Sequence, residues 1–180
     1  MKNKTLYITT LGIFTALAFV FSLITISLGN IKITFASLPT SLLGYAFGPI
    51  SGFICGSLSS FLDQMLKYGF TATTALWILP SGIRGMLCGY GFHMLRKNNE
   101  SNLLLKFEII GIISAIITTL LNTGVMYIDA KMYGYYTPIY LWGDFILRLI
   151  TGIITAAIVN FIIYLCWNPI KPIIKNIKGA

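Results

Sequence analysis

The sequence predicts an all-α membrane protein, a bundle of six membrane-spanning helices that forms one domain over residues 1–180. Of its 180 residues, 56% are apolar and 10% are charged, whereas soluble domains carry about 25% charged residues. The apolar residues form runs of roughly 20, which is the length of a membrane-spanning helix. The short alternating segments of a membrane β-barrel are absent.

The first predicted helix covers about residues 5–28 and follows the basic start MKNK. No small-residue cleavage site is evident, so we expect a retained membrane helix and not a removable signal peptide. The second, about residues 33–47, contains Pro39, which predicts a short or broken helix that ends at a Gly-Pro turn. The third, about residues 50–66, is rich in glycine and serine.

The remaining predicted helices are separated by clear polar or aromatic loops. The fourth covers about residues 74–95 and is followed by the polar loop RKNNESN. The fifth covers about residues 105–128 and leads into the tyrosine-rich stretch DAKMYGYYTP. The sixth, about residues 139–167, is long enough to tilt or protrude. A basic tail, NPIKPIIKNIKGA, follows it.

The distribution of lysine and arginine predicts that both termini are cytoplasmic. With six spans, the termini share one side with the loop after the fourth helix. That side carries eight lysines and arginines, and the opposite side carries three. Because cytoplasmic segments carry the excess of positive charge, we expect a multi-pass protein of the bacterial plasma membrane. Membrane topology therefore accounts for the net charge of +8, and no nucleic-acid partner is predicted.

Polar side chains are concentrated in the outer half of the predicted bundle. Arg84 and Arg148 each lie about ten residues, or roughly 15 Å, below the outer end of their helices. The other polar residues expected in this half are Asp63, Gln64, Asn122 and Asp144. A charge at such depth costs about 2.5–3.5 kcal/mol and usually faces a cavity or a partner. Two arginines at one level predict a pocket for an anion, because guanidinium groups bind carboxylates in a bidentate manner.

A structural role for the same residues is the alternative. Asp144 and Arg148 are four residues apart and are able to pair along one helix face. Arg84 is similarly able to pair with Asp63 and so join the third and fourth helices. A membrane asparagine such as Asn122 often forms a hydrogen bond with a neighbouring helix. In a mixed arrangement, the acids orient arginines that bind the ligand.

Aromatic residues surround the outer end of the predicted pocket. Trp77 lies seven residues before Arg84 and on the same helix face, and Tyr133 and Tyr136 lie in the outer loop. Flat rings at this position favour a planar ligand, although tryptophan and tyrosine are also enriched at any membrane interface.

No catalytic, metal or cofactor site is predicted. The three cysteines lie in apolar runs without metal-ligand spacing. Neither HExxH nor a GxxxxGK[ST] phosphate-binding loop is present. The chain is therefore expected to be no enzyme, and energy for uphill transport would come from a partner.

Four segments together resemble a known family: "IKITFASLPTSLLGYAFGPISGFICGSLSSFLDQML", "LWILPSGIRGMLCGY", "TTLLNTGVMYIDAKMYGYY" and "FILRLITGIITA". They are similar to the S components, the substrate-binding membrane subunits of energy-coupling-factor (ECF) vitamin transporters, and among these to the folate family. The resemblance covers nearly the whole chain. It implies a six-helix bundle of the S-component type with cytoplasmic termini.

The resemblance also implies partners and site residues. An S component binds a vitamin from outside and works in an ABC-type importer with a transmembrane coupling subunit and two cytoplasmic ATPases. In folate-type members the arginine of the Arg-Gly pair and the asparagine of helix five contact the ligand, which correspond to Arg84 and Asn122. Arg148 matches an arginine of helix six. Gly12 and Ala16 match a small-xxx-small step that contacts the coupling subunit. The segment "KYGFTATTALWILPSG" departs from the family pattern at the loop that lines the pocket, so a ligand other than folate stays open.

These observations leave several functions to compare. The first is an S component for folate or a folate derivative, an anionic and planar vitamin. The same scaffold with queuine, a queuosine precursor or pantothenate is the nearest alternative. An autonomous small secondary transporter is a second class, but no inverted repeat is evident and the polar groups lie only in the outer half. In a third class, a membrane scaffold protein, the ion pairs would be purely structural.

Overall fold

A computed structural model describes residues 4–28, 31–96 and 102–178. Within these ranges, seven helices and one two-stranded hairpin follow each other in this order: α1 (Lys4–Leu23), β1 (Thr25–Leu28), β2 (Ile31–Thr34), α2 (Ser37–Phe47), α3 (Pro49–Tyr68), α4 (Thr74–Arg96), α5 (Leu103–Met132), α6 (Pro138–Trp142) and α7 (Phe145–Lys178). The predicted helical bundle is confirmed. The bounds differ from the prediction by more than two residues at four places, and one of these is the end of α5, which runs to Met132 where about residue 128 was predicted.

The first difference is the hairpin between α1 and α2. The prediction placed residues 25–28 in the first helix and residues 33–36 in the second. Instead, β1 and β2 pair antiparallel, with Thr25 opposite Thr34 and Leu28 opposite Ile31. The segments ITIS and IKIT are dense in β-branched side chains, which lose χ1 freedom in a helix and favour strands.

The second difference is the start of α2 at Ser37 instead of about residue 33, while the predicted short helix that ends at a Gly-Pro turn is confirmed and is unbroken. Pro39 lies in its first turn, where a proline is tolerated because the backbone N–H has no partner within the helix. The helix ends at Phe47, and Gly48 takes φ +103°, a conformation that only glycine adopts without strain. Pro49 then begins α3 directly.

The third difference is at the C-terminal end. The predicted sixth helix is divided into the short α6 and the 34-residue α7. The segment after Trp167, predicted as a tail, continues α7 through Pro169 and Pro172. Ile174 belongs to the main core and Ile177 is buried, so tertiary packing holds this segment helical despite the two prolines.

Helices α3 and α4 meet backbone to backbone along a row of small residues, here called the glycine seam: Gly52 and Gly56 on α3, and Ser81 and Gly85 on α4. Gly44 of α2 approaches Gly85 from a second side. A Cβ atom added at Gly52, Gly56 or Gly85 would lie closer than 3.0 Å to backbone atoms of the facing helix. Small residues of this kind let membrane helices approach closely.

The densest apolar packing lies at the end of the bundle nearest the chain termini. Tyr45, Phe92, Phe107 and Trp167 form an aromatic cluster with ring centroids 4.7–5.6 Å apart. Burial of such large rings stabilises this half of the bundle. The opposite half holds the polar residues, as the sequence predicted.

Three stretches are long and apolar enough to cross a membrane by length and composition: Lys4–Leu23, Leu103–Met132 and Pro138–Ile177. Helix α2 has 11 residues and spans only about 16 Å at 1.5 Å per residue. Helices α3 and α4 are long enough, but they carry charged residues such as Asp63, Lys67 and Arg84. These charges belong to the site described next.

Candidate functional site

A cavity of about 700 Å³ lies at the end of the bundle away from the termini. It is lined by the C-terminal parts of α1, α3 and α5, the N-terminal parts of α2, α4 and α7, and both strands of the hairpin. Pockets for small molecules usually measure about 300–1,000 Å³. The cavity is therefore large enough to take up a ligand of vitamin size.

Most of the residues predicted from the sequence lie at this cavity. Its lining includes Asp63, Gln64, Trp77, Arg84, Asn122, Tyr133 and Arg148. Tyr136 and Asp144 are not in the lining. The Tyr136 ring packs edge to face on Tyr127, with centroids 5.4 Å apart, and Asp144 lies in the turn between α6 and α7.

Arg84 lines the cavity from the middle of α4. Within the described ranges it has no hydrogen-bond acceptor, and its Nε atom is buried. The neighbouring Gly85 lies against the backbone of Gly52, and this contact sets the rotation of α4. The position of the Arg84 backbone is therefore fixed by the glycine seam.

The alternative pairing of Arg84 with Asp63 is not formed. Asp63 instead forms a salt bridge of 2.7 Å with Lys67, one turn further along α3. It also accepts a hydrogen bond of 2.7 Å from the Ser22 hydroxyl, and Lys67 donates to the Ser22 carbonyl at 3.0 Å. These contacts join α3 to the end of α1 and leave Arg84 to the cavity.

Arg148, on α7, is held by contacts with α5 and α6. Its guanidinium donates to the Leu141 carbonyl of α6 at 2.5 Å and contacts the sulfur of Met126 on α5. The Nε atom is buried and has no acceptor among the described residues. The short helix α6 thus orients Arg148, and part of its hydrogen-bonding capacity remains for a ligand.

Asp129 is a cavity residue that the sequence prediction missed. The fifth helix was expected to end near residue 128, but α5 continues to Met132 and so directs Asp129 into the cavity. Its carboxylate accepts hydrogen bonds from Thr73 at 2.5 Å, from the Trp77 indole at 3.4 Å, and from Tyr135. A helical spacing was available as a signal, since Asn122, Met126 and Asp129 are four and three residues apart.

The hydrogen bond from Tyr135 to Asp129 affects the pKa of the tyrosine hydroxyl. Burial raises the pKa of the Tyr135 hydroxyl, and its hydrogen bond to Asp129 and the negative charge of that carboxylate raise it further. Tyr135 therefore stays protonated at neutral pH and acts as a donor.

Fourteen serine and threonine residues line the cavity. Several of them donate their hydroxyl hydrogens to carbonyls of their own helices, for example Thr40 to Ala36, and Thr119 to Ala115. Their oxygen lone pairs then remain for donors from a ligand. The wall combines these acceptors with two arginines that donate.

The charge of the lining favours an anion. Arg84, Arg148 and Lys67 contribute three positive charges, and Asp63 and Asp129 contribute two negative charges, so the excess is +1 (3 − 2). Since Lys67 and Asp63 neutralise each other, the excess resides on the arginine side. A ligand with one or more carboxylates is therefore preferred over a cation.

The sequence matches the family described as "ECF transporter, substrate-specific component" over residues 6–166. No curated protein matches it significantly. Two solved structures share its fold. A crystal structure of FolT bound with folic acid has a TM-score of 0.65 and 22% identity, covering 89% of this chain and 90% of FolT. The S component of a bacterial ECF transporter has a TM-score of 0.64 and 21% identity, covering 93% and 96%.

The family match extends over most of the chain and includes every residue of the cavity lining. The chain therefore belongs to the family of substrate-specific components of ECF transporters.

Proposed function

We propose that this chain captures folate or a folate derivative outside the cell and delivers it inward as the binding subunit of an ECF-type ABC importer. The observation that carries the proposal is Arg84, a guanidinium that faces the cavity and has no acceptor among the described residues. Holding such a charge inside a membrane protein is costly. A ligand carboxylate would supply both the countercharge and the hydrogen bonds.

The shape and chemistry of folate match the rest of the lining. Folate joins a flat heterocycle to a tail with two carboxylates, and the cavity joins an aromatic rim, with Trp77 and Tyr133, to two arginines. Arg148 on α7 and Asn122 on α5 line the same cavity and complete the proposed site. The fold shared with FolT, whose structure holds folic acid, supports the same ligand class.

The cavity has no continuation toward the other end of the bundle, within the described part of the chain. The aromatic cluster of Tyr45, Phe92, Phe107 and Trp167 fills that end. An open channel needs a continuous path, and the packed inner end does not provide one, which supports a subunit that depends on partners to release its ligand. We propose that these partners are a transmembrane coupling subunit and two ATPases. We also propose that this chain spans the membrane six times and has both termini in the cytoplasm.

The proposed surface for the coupling subunit lies on α1. Gly12 and Ala16 are exposed one turn apart, and a Cβ atom at Gly12 would meet nothing within 4 Å. We expect Gly12→Leu to reduce co-purification of the coupling subunit about tenfold, because a bulky side chain keeps the two helices apart. Folic acid binding by the isolated variant should not change. Ile8→Leu, on the same helix, is the control, and full complex formation by the Gly12 variant would contradict this interface.

The ligand is tested by native mass spectrometry and thermal unfolding of the purified chain with folic acid, 5-formyltetrahydrofolate, pantothenate and queuine. We expect a folate to be retained and to raise the unfolding temperature, since a ligand that binds only the folded state stabilises it. Stabilisation by pantothenate or queuine, and not by a folate, would overturn the choice of ligand. Such a result would suggest that the segment before Arg84, which departs from the folate-family pattern, changes the choice of ligand.

A further inference from the structure

Asp129 introduces a negative charge into a cavity whose other features favour an anion. Its three hydrogen-bond donors, Thr73, Trp77 and Tyr135, are all neutral. Within the described ranges, the salt bridge present at the cavity joins Lys67 to Asp63, and no cation lies within 4.0 Å of Asp129. The carboxylate therefore keeps its charge exposed to the cavity.

Such a charge works against a simple anionic ligand. A small dicarboxylate held between the arginines would gain nothing from Asp129 and would be repelled by it. A ligand that also brings N–H groups for the carboxylate offsets this repulsion. Asp129 therefore disfavours ligands that carry only acidic groups and favours those that also carry N–H donors.

Asp129 and Arg84 are also separated along α4, whereas Arg148 contacts Met126, one turn from Asp129. Trp77, which is bonded to Asp129, lies seven residues before Arg84 on α4. Seven residues correspond to about 10 Å along a helix axis. A compact ligand cannot span this distance, but an elongated one with a donor group at one end and an acid at the other can.

We propose that Asp129 accepts the N–H groups of the ligand's heterocycle while Arg84 binds its acidic end, so that the cavity fixes the orientation of the ligand. The proposal rests on the function proposed above and deepens it. The ligand class is a planar ring with an amino group beside a ring N–H, joined to a carboxylate-bearing tail. Tyr135 is the exposed member of the three donors, and it is the one that a ligand N–H would replace.

The test compares folic acid with an analogue that lacks the 2-amino group, each titrated calorimetrically into the wild-type chain and the Asp129→Asn variant. The amide keeps the size of the side chain and an oxygen acceptor for Trp77 but removes the charge. We expect folic acid to bind the variant about tenfold or more weakly. The analogue should bind the wild type with a similar loss and should lose little more in the variant. Glu108→Gln, at the other end of α5, is the matched control.

The possible outcomes separate this inference from the proposed function. Equal loss of folic acid and of the analogue in the variant would mean that Asp129 only shapes the wall, and would overturn the inference. Unchanged binding of folic acid by the variant would do the same. If the variant does not fold, equal affinity of the wild type for both ligands still overturns it. A wild type that binds no folate at all would overturn the proposed function itself.

Discussion

Replacing Arg84 with alanine is expected to weaken folate binding by about 2–4 kcal/mol, or roughly 30- to 900-fold in Kd. The guanidinium faces the cavity and has no acceptor among the described residues, so its hydrogen bonds are available only to a ligand. Isothermal titration calorimetry of the purified chain in detergent measures the change. Arg84→Lys should give an intermediate loss, because the ammonium keeps the charge but lacks the planar fork.

The same substitution separates ligand binding from a structural role. Since Arg84 forms no salt bridge within the described part of the chain and its burial is costly, alanine should leave the unfolding temperature of the ligand-free chain unchanged or raise it. Lys175→Ala removes an exposed cation of α7, far from the cavity, and controls for net charge. An affinity loss below tenfold in a folded variant, or clear destabilisation of the ligand-free chain, would contradict the assigned role.

Replacing Gly85 with alanine is expected to destabilise the protein by about 3 kcal/mol, at the upper end of the range for overpacked cores. The added Cβ atom would fall on the backbone of Gly52. Backbone atoms cannot move aside as the end of a flexible side chain can, so α3 and α4 would have to separate. Unfolding in detergent, followed by circular dichroism, measures the loss.

Gly124→Ala is the matched control for this prediction. Gly124 lies within α5, and a Cβ atom there meets nothing within 4 Å. Alanine is favoured over glycine in a helix interior by about 1 kcal/mol, so this variant should be at least as stable as the wild type. If Gly85→Ala and Gly124→Ala were equally stable, the close approach of α3 and α4 would be disproved.

The sequence predicts long, strongly apolar helices well and short β-branched segments poorly. Helix α4 begins at Thr74, as predicted, and ends one residue beyond the predicted end, because polar loops flank a continuous apolar run. The hairpin was missed because ITIS and IKIT extend apolar runs without any change in hydropathy. Such runs fit a helix or a strand equally well, and pairing between the two strands decides the outcome.

For the site, depth along each helix was enough to place Arg84 and Arg148 at one cavity. Asp129 was missed because helix boundaries are the least certain feature of a sequence-based assignment. An error of four residues at the end of α5 moved it from a helix face into a loop. The salt bridge of Asp63 with Lys67 was also missed, since Lys67 is one of the three lysines and arginines that the topology prediction counted on the outer side.

Because of the glycine seam, the two walls of the cavity differ in how well they tolerate substitutions. On the wall formed by α3 and α4, larger residues at the seam would displace backbone atoms. The position of the Arg84 backbone in the cavity should therefore change little between related sequences. The wall formed by α5 and α7 meets the cavity through side chains such as Asn122, Thr151 and Thr155, which substitutions alter locally. Selection for a new ligand should therefore accumulate changes on α5, α7 and the loops. A randomised library would yield folded variants there, whereas one built on the seam would yield mostly misfolded protein.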